Sequence, residues 1–228
     1  MNAEQTLKQE FNRWAEEGRG EEMENHHWPI TRPVLPLMEL KDGDRVLDLG
    51  CGSGWATRKL AELVAPTGTA VGIDVSDEMI ARARKDSGRI ANVRFEIAAA
   101  HEIPAGSNWF TKVLSIESFY YYPDQDGALQ ELFRVMAPAG RLFILINLYK
   151  DNPYSLRWIS ELKVAVHARS AAEYDALLRQ HGFTDVGSRR IPDLSATPAV
   201  YTGKWFRNAE ELREFKKIGA LLLMARKP

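Results

Sequence analysis

Cysteine is almost missing from this 228-residue chain. Cys51 stands alone, so no intrachain disulfide can form and a four-cysteine zinc site is excluded. The five histidines offer no metal-binding spacing either, being dispersed apart from His26 and His27. No segment approaches the roughly 20 apolar residues that a membrane-crossing helix needs. The opening stretch, MNAEQTLKQEFNRW, lacks the apolar run and cleavage pattern of a secretory signal. These absences predict a soluble, cytoplasmic protein. An excess of either charge is also lacking, with 30 Lys and Arg against 31 Asp and Glu. That balance supplies no bulk positive field for a phosphate backbone, and a small or locally recognised partner is the simpler expectation. Nor is there an internal repeat, a low-complexity linker or a charge block, so one domain is expected over residues 1–228.

What is present is the alternation of a layered α/β protein. A hydrophobic fraction of 45% can build a substantial core. Leu7, Phe11, Trp14 and Ala15 follow helical spacing, and the segment after them reads as turn-rich before becoming helical near residue 40, with Pro33 and Pro36 blurring its limits. Strands are predicted at Arg45–Leu49, Ala70–Val75, Val93–Ala98, Lys112–Ile116 and Arg141–Leu148, with helices at Trp55–Ala65, around Met79–Ala83 and at Gly127–Ala137. Few polar positions interrupt the strands, which points to a mostly parallel sheet covered on both faces. Residues 149–168 and 191–218 break the rhythm and read as insertions near the pocket. Between them, Ser170 and Glu173 have the spacing of a capping box, opening a helix that Gly182 can end. Strands at Phe183–Arg190 and Ala220–Arg226 and a helix at Ala209–Lys217 complete the pattern.

The most informative segment is VLDLGCGSG, Val46 to Gly54, which sets Gly50, Gly52 and Gly54 between a strand and a helix. Glycines there permit a sharp turn and let a ligand approach the backbone. Asp74 closes the second strand in VGIDVS, where a carboxylate can accept both hydroxyls of a ribose. The spacing is GxGxG, with the bulky Trp55 following, rather than the GxGxxG of dinucleotide folds.

VLDLGCGSG, VGIDVSDEMIARAR, SIESFYYYPD, ALQELFRVMAPAGRLFI and SAAEYDALLRQHGF together resemble the class I S-adenosylmethionine-dependent methyltransferases, particularly their small-molecule group. The likeness spans most of Lys41–Asp185. It implies a Rossmann-like seven-stranded sheet in the order 3-2-1-4-5-7-6, strand seven antiparallel, with helices on both faces. Residues 1–40 would form a helical cap. The resemblance assigns the cofactor S-adenosylmethionine to Asp48, Gly50, Cys51, Gly52, Gly54, Asp74, Val75, Met79, Ala99, Ala100 and Ser115. One position departs from the pattern: the carboxylate expected after the third strand, where the adenine amino group binds, falls at Ala99. Backbone groups or His101 would then serve adenine.

The methyl acceptor is expected to be a small molecule, with no nucleic acid or membrane partner. His167 is the first candidate for a general base because histidine titrates near neutrality. His26, in the N-terminal segment, and Glu117, at the carboxyl edge of the fourth strand, are the other candidates. Arg19 could pair with a carboxylate, and Trp14, Trp28, Tyr154 and Trp158 are candidate pocket walls. Three other readings remain: a non-catalytic binder of the cofactor, a nicotinamide-dependent oxidoreductase, and a nucleic-acid methyltransferase. SIESFYYYPD lacks the Asn/Asp-Pro-Pro-aromatic group associated with methylation of base amino groups.

Overall fold

The structure, a computed structural model, describes residues 2–228. Asn2 and Gln5 form a capping box that starts α1 (Ala3–Glu16), each side chain accepting from the other's backbone N–H. Gly18, in the left-handed region, breaks this helix from α2 (Arg19–Thr31), and the short α3 (Leu35–Met38) leads into the sheet. The stretch after Gly18, expected to be turn-rich, is therefore helical. Its run from Arg19 to Trp28 carries no proline, and Pro29 sits in the last turn.

The strands are β1 (Arg45–Leu49), β2 (Thr69–Asp74), β3 (Val93–Ile97), β4 (Phe110–Ile116), β5 (Met136–Ile146), β6 (Thr184–Ile191) and β7 (Ala220–Arg226). They form one sheet in the order β3-β2-β1-β4-β5-β7-β6, with β7 antiparallel to both neighbours, as the resemblance implied. The helices α4 (Trp55–Val64), α5 (Asp77–Ser87), α6 (Gln125–Val135), α7 (Ala171–Gln180) and α8 (Ala209–Ile218) complete the chain. Ser170 and Glu173 do form the capping box that opens α7.

Alternate residues of the central strands feed two cores. Leu47, Val113, Ile144 and Leu223 join one cluster, and Val46, Leu114, Phe143 and Leu222 the other. Each such side chain contributes about 1.5–3 kcal/mol when fully buried. β5 starts five residues earlier than expected, because Met136 already pairs with Phe110. Ala139 accommodates the bend in that strand at φ +61°.

The packing fixes the loop after β1. Gly54 caps α4 at φ +76°, and a Cβ there would lie 2.6 Å from the Phe95 ring and 2.9 Å from Ala83. Helix α4 can approach β3 and α5 this closely only because the position is glycine. The loop's geometry is thus set by the core beneath it.

Candidate functional site

A cavity of about 490 Å³ opens over the carboxyl ends of β1, β2 and β4, with α1 and α2 forming its outer side. Its floor includes Gly50, Cys51 and Gly52, followed by Asp74 and Val75. Gly50 adopts φ +77°, and a Cβ would strike Ser118 at 2.4 Å. Ser118 is held there by donating to the Leu49 carbonyl at 3.0 Å. The floor is therefore bare backbone of fixed shape.

Asp74 organises this floor. One carboxylate oxygen accepts from the Gly52 N–H at 2.9 Å and the other from the Ser76 N–H at 2.9 Å. Each oxygen retains a second lone pair for a ligand hydroxyl. Burial raises the Asp74 pKa against the opposing pull of those backbone donors. Ser76 then caps α5 and donates to Asn12 of α1 at 2.6 Å, while Asn12 donates to Asp77 at 2.6 Å. The cap helix is therefore hydrogen-bonded to the segment that carries Asp74.

Asp48, deeper in the same cavity, accepts from the Thr57 hydroxyl at 2.6 Å. Burial pushes its pKa up to about 7, with the nearby Asp74 adding to the rise. Burial drives the Cys51 thiol well above its ordinary value, which leaves it protonated and unsuited to nucleophilic attack. On the opposite wall lie Ala99 and Ala100, beside His101. No carboxylate occurs at Ala99, but Glu4 of α1 lines the same wall, with its Oε1 3.7 Å from His101 Nδ1. Sequence reasoning missed Glu4, since it lies 95 positions from Ala99 and no local motif marks it.

A second cavity of about 420 Å³ adjoins the first, and Glu117, His26, His27, Tyr120 and Trp205 line both. Glu117 sits just past β4 at φ +51°, in the left-handed region. Its carboxylate accepts from the Tyr120 hydroxyl at 3.0 Å and from the Asn147 backbone N–H. Burial pushes its pKa up to about 7, the range of a base poised for work near neutral pH. His27 is held neutral, its pKa lowered to about 4 by burial and by the neighbouring His26.

The structure separates the other candidates. His26 stands at the junction with Glu117, whereas His167 lines neither cavity. The His167 backbone instead ties the chain together, its N–H donating to Tyr120 O and its carbonyl accepting from the Tyr174 hydroxyl. Gly54 and Ser115 are also absent from the lining: Gly54 serves the packing described above, and Ser115 is buried against Ser118. Met79 does reach the first cavity. Trp14 and Trp158 are wall residues, but Trp28 packs edge-on against Trp55, and Tyr154 lies outside both linings. Arg19 lines the first cavity while paired with Glu17 at 2.9 Å and placed over the Trp14 ring. Among the described residues no helix is long and apolar enough to cross a membrane, and no cluster of three His, Cys, Asp or Glu side chains is set to hold a metal.

Comparison with known proteins agrees with this geometry. The family model described as "Methyltransferase domain" matches residues 40–181. The ubiquinone/menaquinone biosynthesis C-methyltransferase UbiE of Ectopseudomonas mendocina is 35% identical over 125 residues, covering 54% of this chain and 49% of that protein. The match thus spans about half the length of that relative. The O-methyltransferase cnsE of Penicillium expansum is 30% identical over 215 residues, covering 86% of this chain and 76% of its own. Among solved structures, a Haloferax volcanii putative methyltransferase, solved in complex with the Trm112 methyltransferase activator, superposes with a TM-score of 0.88. It is 30% identical, covering 96% of this chain and 98% of that one. With the glycine floor, the acid closing β2 and the strand order all in place, the chain belongs to the class I S-adenosylmethionine-dependent methyltransferase family.

Proposed function

We propose that this protein transfers a methyl group from S-adenosylmethionine to a hydroxyl or an acidic carbon of a small molecule, with Glu117 taking up the proton. The observation that carries the reading is Glu117 itself, a carboxyl group with a pKa near 7 at the junction of two cavities. The first cavity suits the cofactor. Asp74 has lone pairs to spare for the ribose hydroxyls, the bare glycine floor admits the methionine portion, and Asp48 offers a carboxylate to its ammonium group. Glu4, beside His101, supplies the adenine-side acid that the local sequence lacks.

S-adenosylmethionine supplies an already activated methyl group on its sulfonium. The remaining tasks are positioning, exclusion of water and removal of a proton. Tyr120, donating to Glu117, holds the carboxylate in place, and Trp14 and Tyr121 enclose the junction. No nucleophilic side chain is needed.

The test is a calorimetric titration of the protein with S-adenosylmethionine, with NAD as control. Near one-to-one binding of the methyl donor and none of NAD is expected, weakened about tenfold in Glu4→Ala, the value of one lost hydrogen bond to a charged group. Binding of NAD in preference, or no binding of the methyl donor, would overturn the assignment.

A second reading adds a partner. Among the described residues β3 pairs only with β2, which leaves its outer edge open, and Ile97 at its end is 47% exposed. With the likeness to the Haloferax volcanii protein, this edge supports assembly with an activator of the Trm112 kind. Co-expression with the Haloferax volcanii Trm112 protein should then yield a single species in size-exclusion chromatography that Ile97→Lys disrupts. Separate elution of the two proteins would count against it.

A further inference from the structure

The second cavity has features that the transfer chemistry does not explain. Five aromatic rings from three separate segments meet around it. Trp158 lies 5.9 Å from Trp205, 6.0 Å from Phe206 and 5.2 Å from Phe215 between ring centroids. Tyr201 stands 5.6 Å from Phe206, largely edge to face. Leu148 and Leu162 fill in the wall. The segment carrying Tyr201, Trp205 and Phe206 is pinned by Lys216, whose Nζ lies 3.3 Å from Asp193 and donates to Ser195 Oγ at 2.8 Å. The side chains of Lys216 and Asp193 are only 13% and 15% exposed. This chamber is a built feature and not a gap beneath a loose loop.

We infer that the second cavity is the acceptor chamber and that it takes a neutral, planar aromatic compound bearing a hydroxyl group, such as a phenol or naphthol. This rests on the methyl-transfer reading and names its substrate class. The charge inventory selects the class. Among the described residues Lys216 is the one Lys or Arg in the chamber's lining, and it is already engaged by Asp193 and Ser195, so a phosphate finds no unengaged lysine or arginine there. Asp193 is spent on the same pair, and the carboxylate that remains, Glu117, can accept from a hydroxyl, whereas a quaternary ammonium has no N–H to donate to it. Flat aromatic walls remain, and edge-to-face and offset stacking with a planar ligand is what such walls favour.

The chamber also orients the ligand. A ring system lying against the Trp158 and Phe206 side of the chamber can reach with one end Trp205 and Glu117, which both border the cofactor cavity. A hydroxyl at that end donates to the Glu117 carboxylate. In the transfer, the oxygen forms a bond to the methyl carbon as the sulfur–carbon bond breaks, its electron pair remaining on sulfur. The hydroxyl proton passes to Glu117 and then to water. The products are the aryl methyl ether and S-adenosylhomocysteine.

The test uses the whole chain, saturated with S-adenosylhomocysteine and titrated with 1-naphthol, tetramethylammonium or phosphoethanolamine. Binding is read by calorimetry and by tryptophan fluorescence. Saturable binding of 1-naphthol alone is expected, weakened at least tenfold in Trp158→Ala and largely restored in Trp158→Phe. S-adenosylmethionine affinity should stay within twofold in both variants, which separates a chamber defect from misfolding. Tighter binding of tetramethylammonium or phosphoethanolamine, or no binding of 1-naphthol by a protein that binds S-adenosylmethionine, would overturn the chamber's assignment alone. Loss of S-adenosylmethionine binding in the unmodified protein would instead bring down the methyl-transfer reading and this one with it.

Discussion

Asp74→Ala is expected to raise the dissociation constant for S-adenosylmethionine by about 100-fold or more. The ribose hydroxyls would lose two hydrogen bonds to a charged acceptor, each worth about 1.5–3 kcal/mol, and every 1.4 kcal/mol is a factor of ten. The backbone adds to the loss, because the Gly52 and Ser76 amides both donate to this carboxylate. Asparagine is no conservative replacement here. Its amide nitrogen would face one of two backbone N–H groups, donor against donor, and neither can rotate away. Asp74→Asn should therefore bind nearly as poorly as Asp74→Ala. Calorimetric titration decides the matter, with a thermal melt to show that each variant folds. An affinity within threefold of the unmodified protein would remove Asp74 from the cofactor site.

Glu117→Gln is expected to lower kcat by about 100-fold, the lower end of what a positioned general base contributes. Unlike Asp74→Asn, this substitution keeps the local hydrogen bonds. The amide oxygen can still accept from the Asn147 N–H, and the Tyr120 hydroxyl can turn to accept from the new amide nitrogen. Affinity for S-adenosylmethionine should thus change little. The pH profile gives the sharper test. A base must be ionised to act, and burial raises the Glu117 pKa to about 7. Activity should rise roughly tenfold per pH unit below that value and level off above it. In the glutamine variant the limb should disappear from kcat. A variant that keeps both the limb and the rate would return the role to His26 or to solvent.

Much of this was legible from the chain itself, for physical reasons. The limits of β1 and β7 matched their apolar runs because each strand is short and bounded by a glycine on one side and a charged residue on the other. The capping box at Ser170 and Glu173 was readable because it depends on residues three apart. The place of Asp74 beside the glycine floor was readable because floor and acid lie at the ends of adjacent strands, where the fold has little freedom. The poorer expectations concern residues whose neighbours are distant in sequence. Titration chemistry favoured His167, but its backbone bonds place it in a connecting segment outside both cavities. Glu4 meets His101 only because α1 folds back over the cavity. The aromatic chamber needs Trp158, Tyr201 and Phe215 to converge from three segments, and no periodicity announces that.

The hydrogen bonds that Asn12 accepts from Ser76 and donates to Asp77 have a kinetic consequence. They join the cap to the N-terminus of α5, two residues beyond the acid expected to hold the ribose. Because α1 and α2 form the outer side of the cavity, those bonds hold that side against the segment carrying Asp74. On the proposed function, weakening them in Asn12→Ala is expected to speed exchange of the methyl donor, which stopped-flow tryptophan fluorescence would read.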